Sequence, residues 1–218
     1  MSFQYSPKLI TNGLVLYFDA ANTKSYINGS TTWNDLSRSV GNGTILNGPV
    51  FNSANGGSLF FDGVNEYVTT PISLTAQNTV SFWMRPDTGS TANGIFDAYT
   101  VAGTSGVLIR RATSGTTTVF VADGTAQNGV TVNTPSGVWT NLTLVNDGIN
   151  ARVYVNMGTP STIARVHAVG LPILLATRQR GGTNYWSGNI ANIHVYNRAL
   201  SLSEMLQNYN TVKTRFGL

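Results

Sequence analysis

Between Gly57 and Pro86 the chain reads GSLFFDGVNEYVTTPISLTAQNTVSFWMRP, and its polarity repeats every two residues rather than every three or four. Val80, Phe82 and Met84 alternate with Ser81, Trp83 and Arg85, so an extended backbone would turn one side of this segment to a core. The apolar run Leu59-Phe60-Phe61 precedes Asp62-Gly63-Val64-Asn65, and Glu66 to Thr70 leaves it with β-branched and aromatic residues. An Asp-Gly pair between two such runs predicts a hairpin, because glycine takes positive φ without a Cβ clash. Pro71 is expected to stop the second strand, since it brings no N–H to a ladder. The middle of the chain therefore predicts antiparallel sheet.

The same signals recur on either side. Leu14, Leu16 and Phe18 alternate with Val15, Tyr17 and Asp19, and a long polar loop then runs from Asn22 to about Gly43. VWTNLTLVN leads into Asp147-Gly148, and Arg152 to Asn156 leaves it, which predicts a second hairpin. Strands are also expected over Ile163 to Val169, Ile173 to Thr177 and Ile190 to Tyr196. The period changes only near the end. Ser201 stands three residues before Glu204, the capping-box spacing, and Leu202, Met205, Leu206, Tyr209 and Val212 recur at helical intervals. The expectation is an all-β, two-sheet antiparallel sandwich with one short C-terminal helix, residues 1–218 forming one domain and 1–11 an N-terminal arm. Charged residues make up only 10% of the chain, which suits a surface that meets protein or sugar.

Several function classes drop out. There is no cysteine, hence neither a disulfide framework nor a thiolate metal site. The formal net charge is +4, but apart from Arg110-Arg111 and Arg178/Arg180 the basic residues are scattered, so nucleic acid is not an expected partner. MSFQYSPKL lacks the features of a signal peptide, and no stretch approaches the ~18 apolar residues of a membrane span, so membrane insertion is not expected. Glu66 and Glu204 are the only glutamates and lie far apart in sequence, and Asp19 has no acidic neighbour, so the carboxylate pair of a glycosidase is missing. His167 and His194 belong to no nucleophilic motif. His194, in IANIHVY, is expected to be a sheet-face histidine. The chain is expected not to be an enzyme.

Six segments carry a family resemblance: GLVLYFDAAN, TTWNDLS, GSLFFDGVNEYV, TVSFWMRP, WTNLTLVNDG and GNIANIHVYNRALSLSEMLQNYN, in this order from about Asn12 to Leu218. The sequence resembles the laminin-G-like branch of the concanavalin A-like lectin/glucanase superfamily, which implies a jelly-roll of two curved antiparallel sheets. It is similar to versions of the module found in tailed-phage virion proteins. That similarity implies a non-enzymatic virion surface protein, a capsid decoration or a tail or fibre component, assembled in the host cytoplasm. Its expected partners are virion proteins, copies of itself and glycans. The alternative is a carbohydrate-binding adhesion module; a divergent glycoside hydrolase is the weaker third reading, because the Glu-x-Asp-x-x-Glu strand of the glucanases is absent.

No cofactor is expected beyond calcium, which takes oxygen ligands from loops. The candidates are Asp35, Asn42 and Asp62, from loops that lie near one another in relatives, although Asp35 to Gly43 breaks the family's Ser-Gly-Asn-Gly. The competing reading is that Asp62 caps its own turn. For a sugar, Tyr99 and Tyr185 offer aromatic faces, and Arg110, Arg180 and Asn184 offer hydrogen-bond donors. By the resemblance, Trp33, Trp83, Trp139 and Trp186 match recurring aromatic positions and are expected in the core.

Overall fold

The computed structural model describes residues 8–88, 93–100, 104–167, 171–178 and 184–218. Two antiparallel sheets lie face to face, as expected. The first runs, edge to edge, through Ser161–Ile163, Ala151–Val155, Thr140–Asn146, Asn78–Pro86, Ser187–Tyr196, Ser58–Asp62 and Val50–Asn52, with Leu14–Asp19 also paired to Ser187–Tyr196. The second runs through Gln127–Asn133, Thr116–Asp123, Ser105–Thr113, Gly94–Tyr99, Pro172–Leu175, Tyr67–Ser73, Gly43–Leu46 and Thr32–Trp33. Alternation builds the core between them. Val80, Phe82, Met84, Leu142 and Leu144 from the first sheet meet Phe96, Val107, Ile109, Val119 and Val121 from the second, each at most 1% exposed.

The two Asp-Gly turns have different outcomes. Asp147-Gly148 closes a hairpin, with Asn146 paired to Ala151. Asp62-Gly63 does not: Ser58–Asp62 lies in the first sheet and Tyr67–Ser73 in the second, so the turn carries the chain between layers. Its local chemistry is that of a turn, with Gly63 at φ +83 and Asp62 Oδ1 accepting the Val64 N–H at 2.8 Å. Turn chemistry reverses the chain but does not choose its hydrogen-bonding neighbours. Both edges of Ser58–Asp62 are taken, by Val50–Asn52 and by Ser187–Tyr196. Nor does Pro71 end its strand, which continues to Ser73. The partner ladder shifts register between Pro172 and Leu174, so the missing N–H falls where pairing is already irregular. The strand expected from Ile163 to Val169 is instead Ser161–Ile163, and positions 168 and 169 lie outside the described residues.

Helix Leu202–Val212 starts on the expected capping box: Ser201 Oγ accepts the Glu204 N–H at 3.3 Å, and Glu204 Oε2 accepts the Ser201 N–H at 2.9 Å. The Arg198 guanidinium adds a fork to the same carboxylate at 3.0 and 2.6 Å and holds its pKa down at about 2. The buried face differs from the expected one. Leu202 and Leu206 are 52% and 37% exposed, while Met205 and Asn208 are buried and Tyr209 and Val212 partly so. The reason lies in what the helix covers. Trp83, on the outer side of the first sheet, stacks on Tyr209 at 5.4 Å and on Phe216 at 4.3 Å, and this sandwich sets the rotation of the helix. Trp33 and Trp186 are in the main core, Trp83 is buried beneath the helix, and Trp139 is partly exposed with its Nε1–H on Asn55 Oδ1. Of the expected N-terminal arm, 1–7 lie outside the described residues. Ile10 bridges strand and helix, donating its N–H to Asn208 Oδ1 and accepting the Tyr196 hydroxyl.

The outer side of the first sheet is thus covered by the C-terminal helix. Among the described residues, the outer side of the second sheet is crossed only by the short hairpin Thr177–Arg178/Asn184–Tyr185.

Candidate functional site

Alternation that sends Phe96, Val107, Ile109, Val119 and Val68 inward sends Asp97, Tyr99, Leu108, Arg110, Phe120, Tyr67 and Thr69 outward. Arg110 pairs across the ladders with Gly94 on one side and Thr118 on the other. Its guanidinium carbon stands 4.9 Å above the Phe120 ring, an arrangement that holds a cation against an aromatic face. Tyr99 packs with Leu108, Ala122 and Phe120, and its hydroxyl donates to Gln127 Oε1.

The expected strand Ile173 to Thr177 is broken at Ala176, whose φ of +60 lifts the chain out of the sheet. Thr177–Arg178 then pairs with Asn184–Tyr185, Thr177 opposite Tyr185 and Arg178 opposite Asn184. This hairpin crosses directly above Gly94. A Cβ there would stand 2.5 Å from Thr177 O and 2.6 Å from Arg178 N, so the crossing requires glycine. Beyond it the Tyr185 ring lies 6.0 Å from Tyr67, tilted by 36°. The ladder register puts Tyr67, Gly94 and Arg110 nearly in one row across the strands. The outer side of this sheet therefore carries, in order, an aromatic pair (Tyr67, Tyr185), the Arg178 crossing, and Arg110 on Phe120. Four strand spacings separate the Tyr67 and Phe120 strands, about 19 Å, the length of a short oligosaccharide.

Burial lowers the Arg110 pKa, and the Arg178 charge lowers it further. Burial raises the Tyr99 hydroxyl, an effect that Arg178 opposes. The Arg178 side chain therefore lies within electrostatic reach of both.

Of the residues picked from sequence for a sugar, the fold brings Arg110, Asn184 and Tyr185 to this face. Tyr99 lies beneath it, 3% exposed, as floor rather than platform. Arg180 lies outside the described residues. Sequence reasoning missed Tyr67, Phe120 and Arg178. Tyr67 and Phe120 were readable as the outward parity of their strands once Val68 and Val119 were assigned inward.

The calcium candidates hold turns. Asp35 Oδ1 accepts the N–H groups of Tyr17 and Ser37 at 2.8 and 2.9 Å, and Oδ2 accepts the Ser37 hydroxyl at 2.6 Å and the Gly41 N–H at 3.2 Å. Asn42 Oδ1 accepts the Asp35 N–H at 2.9 Å, so these two residues do come together. Asp62 is engaged in its own turn. Among the described residues no three His, Asp or Glu side chains gather as a metal-binding group. Both glutamates are likewise engaged: Glu66 accepts the Asp62 N–H at 2.7 Å, its pKa raised by burial, and Glu204 caps the helix. Two recesses lie elsewhere. One, ≈ 350 Å³, is lined by Tyr26, Phe51 and neutral loop residues. In the other, ≈ 310 Å³, Arg85 and Asp87 are already bonded to Gly137 O and the Ser187 hydroxyl.

Gly94→Val tests the assembly of this face. Driving a side chain into Thr177 and Arg178 should lift the hairpin at a cost of about 1–3 kcal/mol. Hydrogen exchange should rise over 177–185 while the Asn78–Pro86 strand stays protected. Unchanged exchange at the hairpin would contradict the crossing.

A family model for the concanavalin A-like lectin/glucanases superfamily (Laminin_G_3) matches residues 61–205. No curated protein sequence matches the chain. Among solved structures, the ligand binding domain of botulinum neurotoxin serotype D, in complex with N-acetylneuraminic acid, aligns with a TM-score of 0.73 at 12% identity, over 92% of this chain and 51% of that one. The binding domain of Paraclostridial mosquitocidal protein 1 gives 0.67 at 16% identity, over 90% and 52%. A botulinum neurotoxin type C structure, reported with cell entry dependent on two ganglioside molecules, gives 0.68 at 13%, over 92% and 51%. The chain spans about half the length of each, and identities this low establish a common fold alone.

Proposed function

Because this chain belongs to the concanavalin A-like lectin/glucanase superfamily, in its laminin-G-like branch, we propose that it is a non-enzymatic glycan-recognition module binding an oligosaccharide along the outer side of its second sheet. The observation that carries this reading is the row Tyr67/Tyr185, Arg178 over Gly94, and Arg110 on Phe120, on the face opposite the one that the C-terminal helix covers. Aromatic rings accept the apolar faces of sugars while guanidinium and amide donors meet their hydroxyls, and a few placed polar groups supply orientation. The neurotoxin domain that holds N-acetylneuraminic acid on a related fold supports the reading by analogy. Both glutamates serve turns or caps, which favours binding over turnover.

A glycan array with the full chain tests it. Selective binding is expected, and Tyr185→Ala should weaken it about tenfold, the effect of losing one aromatic anchor. Val40→Ser, at a site 91% exposed and away from the row, should change nothing. Silence across neutral and acidic glycans would overturn the proposal.

The setting we propose is the surface of a tailed-phage particle, assembled in the host cytoplasm, with virion proteins and copies of the chain as neighbours. A chain with only 10% charged residues favours close packing of this kind. Mass spectrometry of purified particles should find the chain; its absence would remove the virion and leave glycan recognition standing.

A further inference from the structure

Resting on that reading, we infer that the glycan is acidic, and that its carboxylate or sulfate sits between Arg110 and Arg178. The argument comes from how the chain treats its other arginines. Arg152 pairs with Asp147, Arg165 with Asp123, Arg198 with Glu204 and Arg215 with Asp19. Buried Arg111 is met by Thr134 O, Thr134 Oγ1 and Ser136 Oγ. Arg38 and Arg85 are exposed to solvent. Among the described arginines Arg110 and Arg178 are the exception: both are half-buried, and neither side chain makes an ion pair or hydrogen bond with a described residue.

The fold nevertheless drives them together. Arg178 N stands 2.6 Å from where a Cβ of Gly94 would be, and Gly94 is the ladder partner of Arg110. Two partly desolvated like charges repel, a cost that an anion between them would reverse. Arg110 is already oriented by Phe120, and the hairpin fixes the Arg178 backbone, so part of the ordering that binding needs is already made. The acidic side chain facing outward nearby, Asp97, is fully buried and accepts the Tyr99 N–H at 2.9 Å, beneath the surface on which a ligand would lie. Guanidinium groups bind planar carboxylates and sulfates through paired N–H bonds, whereas neutral hydroxyls would leave the two charges opposed.

The test compares matched oligosaccharides on one surface: lactose, 3′-sialyllactose and 3′-sulfolactose, within an array of neutral, carboxylated and sulfated glycans. The acidic members should bind at least about tenfold more tightly than their neutral partners, and raising NaCl from about 50 to about 500 mM should remove most of the difference. Arg110→Gln and Arg178→Gln should each abolish the preference. Arg178→Gln, on the surface hairpin, guards against a folding defect in Arg110→Gln, and Arg110→Lys should restore charge but not the full preference. The carboxylated and sulfated arms show which anion is read. Equal affinity for neutral and acidic partners, or unaltered preference in both Gln variants, overturns the inference while glycan recognition stands. Silence on every glycan overturns both.

Discussion

Trp83→Ala should cost the fold about 3–5 kcal/mol, the range for deleting a large buried aromatic side chain. Trp83 is fully buried, yet it is not a member of the core between the sheets. It stacks on Tyr209 and Phe216, with Trp139 and Val212 beside them, so its loss empties the joint between first sheet and C-terminal segment. Urea denaturation should show the loss, and amide exchange should place it first in 202–216. The proposed glycan binding, measured in the cold, should survive, since the face proposed for it is on the other sheet. A cost below about 1 kcal/mol would mean that the site collapses around the gap or that the helix is held elsewhere.

Acid should weaken the protein through His194. His194 is buried on the outer side of the first sheet, its ring 4.7 Å from that of Tyr17, and its pKa is lowered to about 3 by burial and then by the positive charge of Arg215. Ser81 and Asn192 share that face, and Arg215 is itself held by Asp19 at 3.0 Å. The unfolded chain binds a proton at about pH 6.5 that the folded chain refuses until about pH 3, so stability is complete above the first value and falls as pH drops towards the second. Across that window the loss is on the order of 4 kcal/mol. Glu204, whose pKa is depressed to about 2 by Arg198, adds a loss only below its ordinary value near 4.5. The Glu204 loss therefore lies below the window between about pH 6.5 and 5 in which the His194 contribution begins to fall. Urea midpoints measured across this range should fall with acid in the wild type and stay flatter in His194→Gln. Parallel slopes in the two proteins would refute the assignment.

The two predictions concern the covered face, and that face explains why the proposed ligand site was only half legible. Trp83 and Arg110 both have outward parity in sequence, one among Val80, Phe82 and Met84, the other among Val107 and Ile109. Nothing in either pattern says which outward row a helix will bury. The helix's own pattern misleads in the same way, since Leu202 and Leu206 are exposed while Asn208 is buried. Asp62-Gly63 and Asp147-Gly148 are alike in sequence, and only the strands available at each edge made one a layer crossing and the other a hairpin. Arg178 was noted beside Arg180 as a charge grouping, but its place above Gly94 depends on the positive φ at Ala176, which no periodicity reports.

What the amino-acid order determined by itself is therefore local: period-two strands, glycine turns, the Ser201/Glu204 cap, and the absence of thiols. These follow from interactions within a few residues, where backbone sterics and side-chain parity decide. Tertiary structure alone decided which strands share a sheet, which outer face the C-terminal helix covers, and which strand the Arg178 backbone crosses. Each of those depends on hydrogen-bonding edges and charges brought together from distant parts of the chain, a competition that is settled only when all the partners are in place.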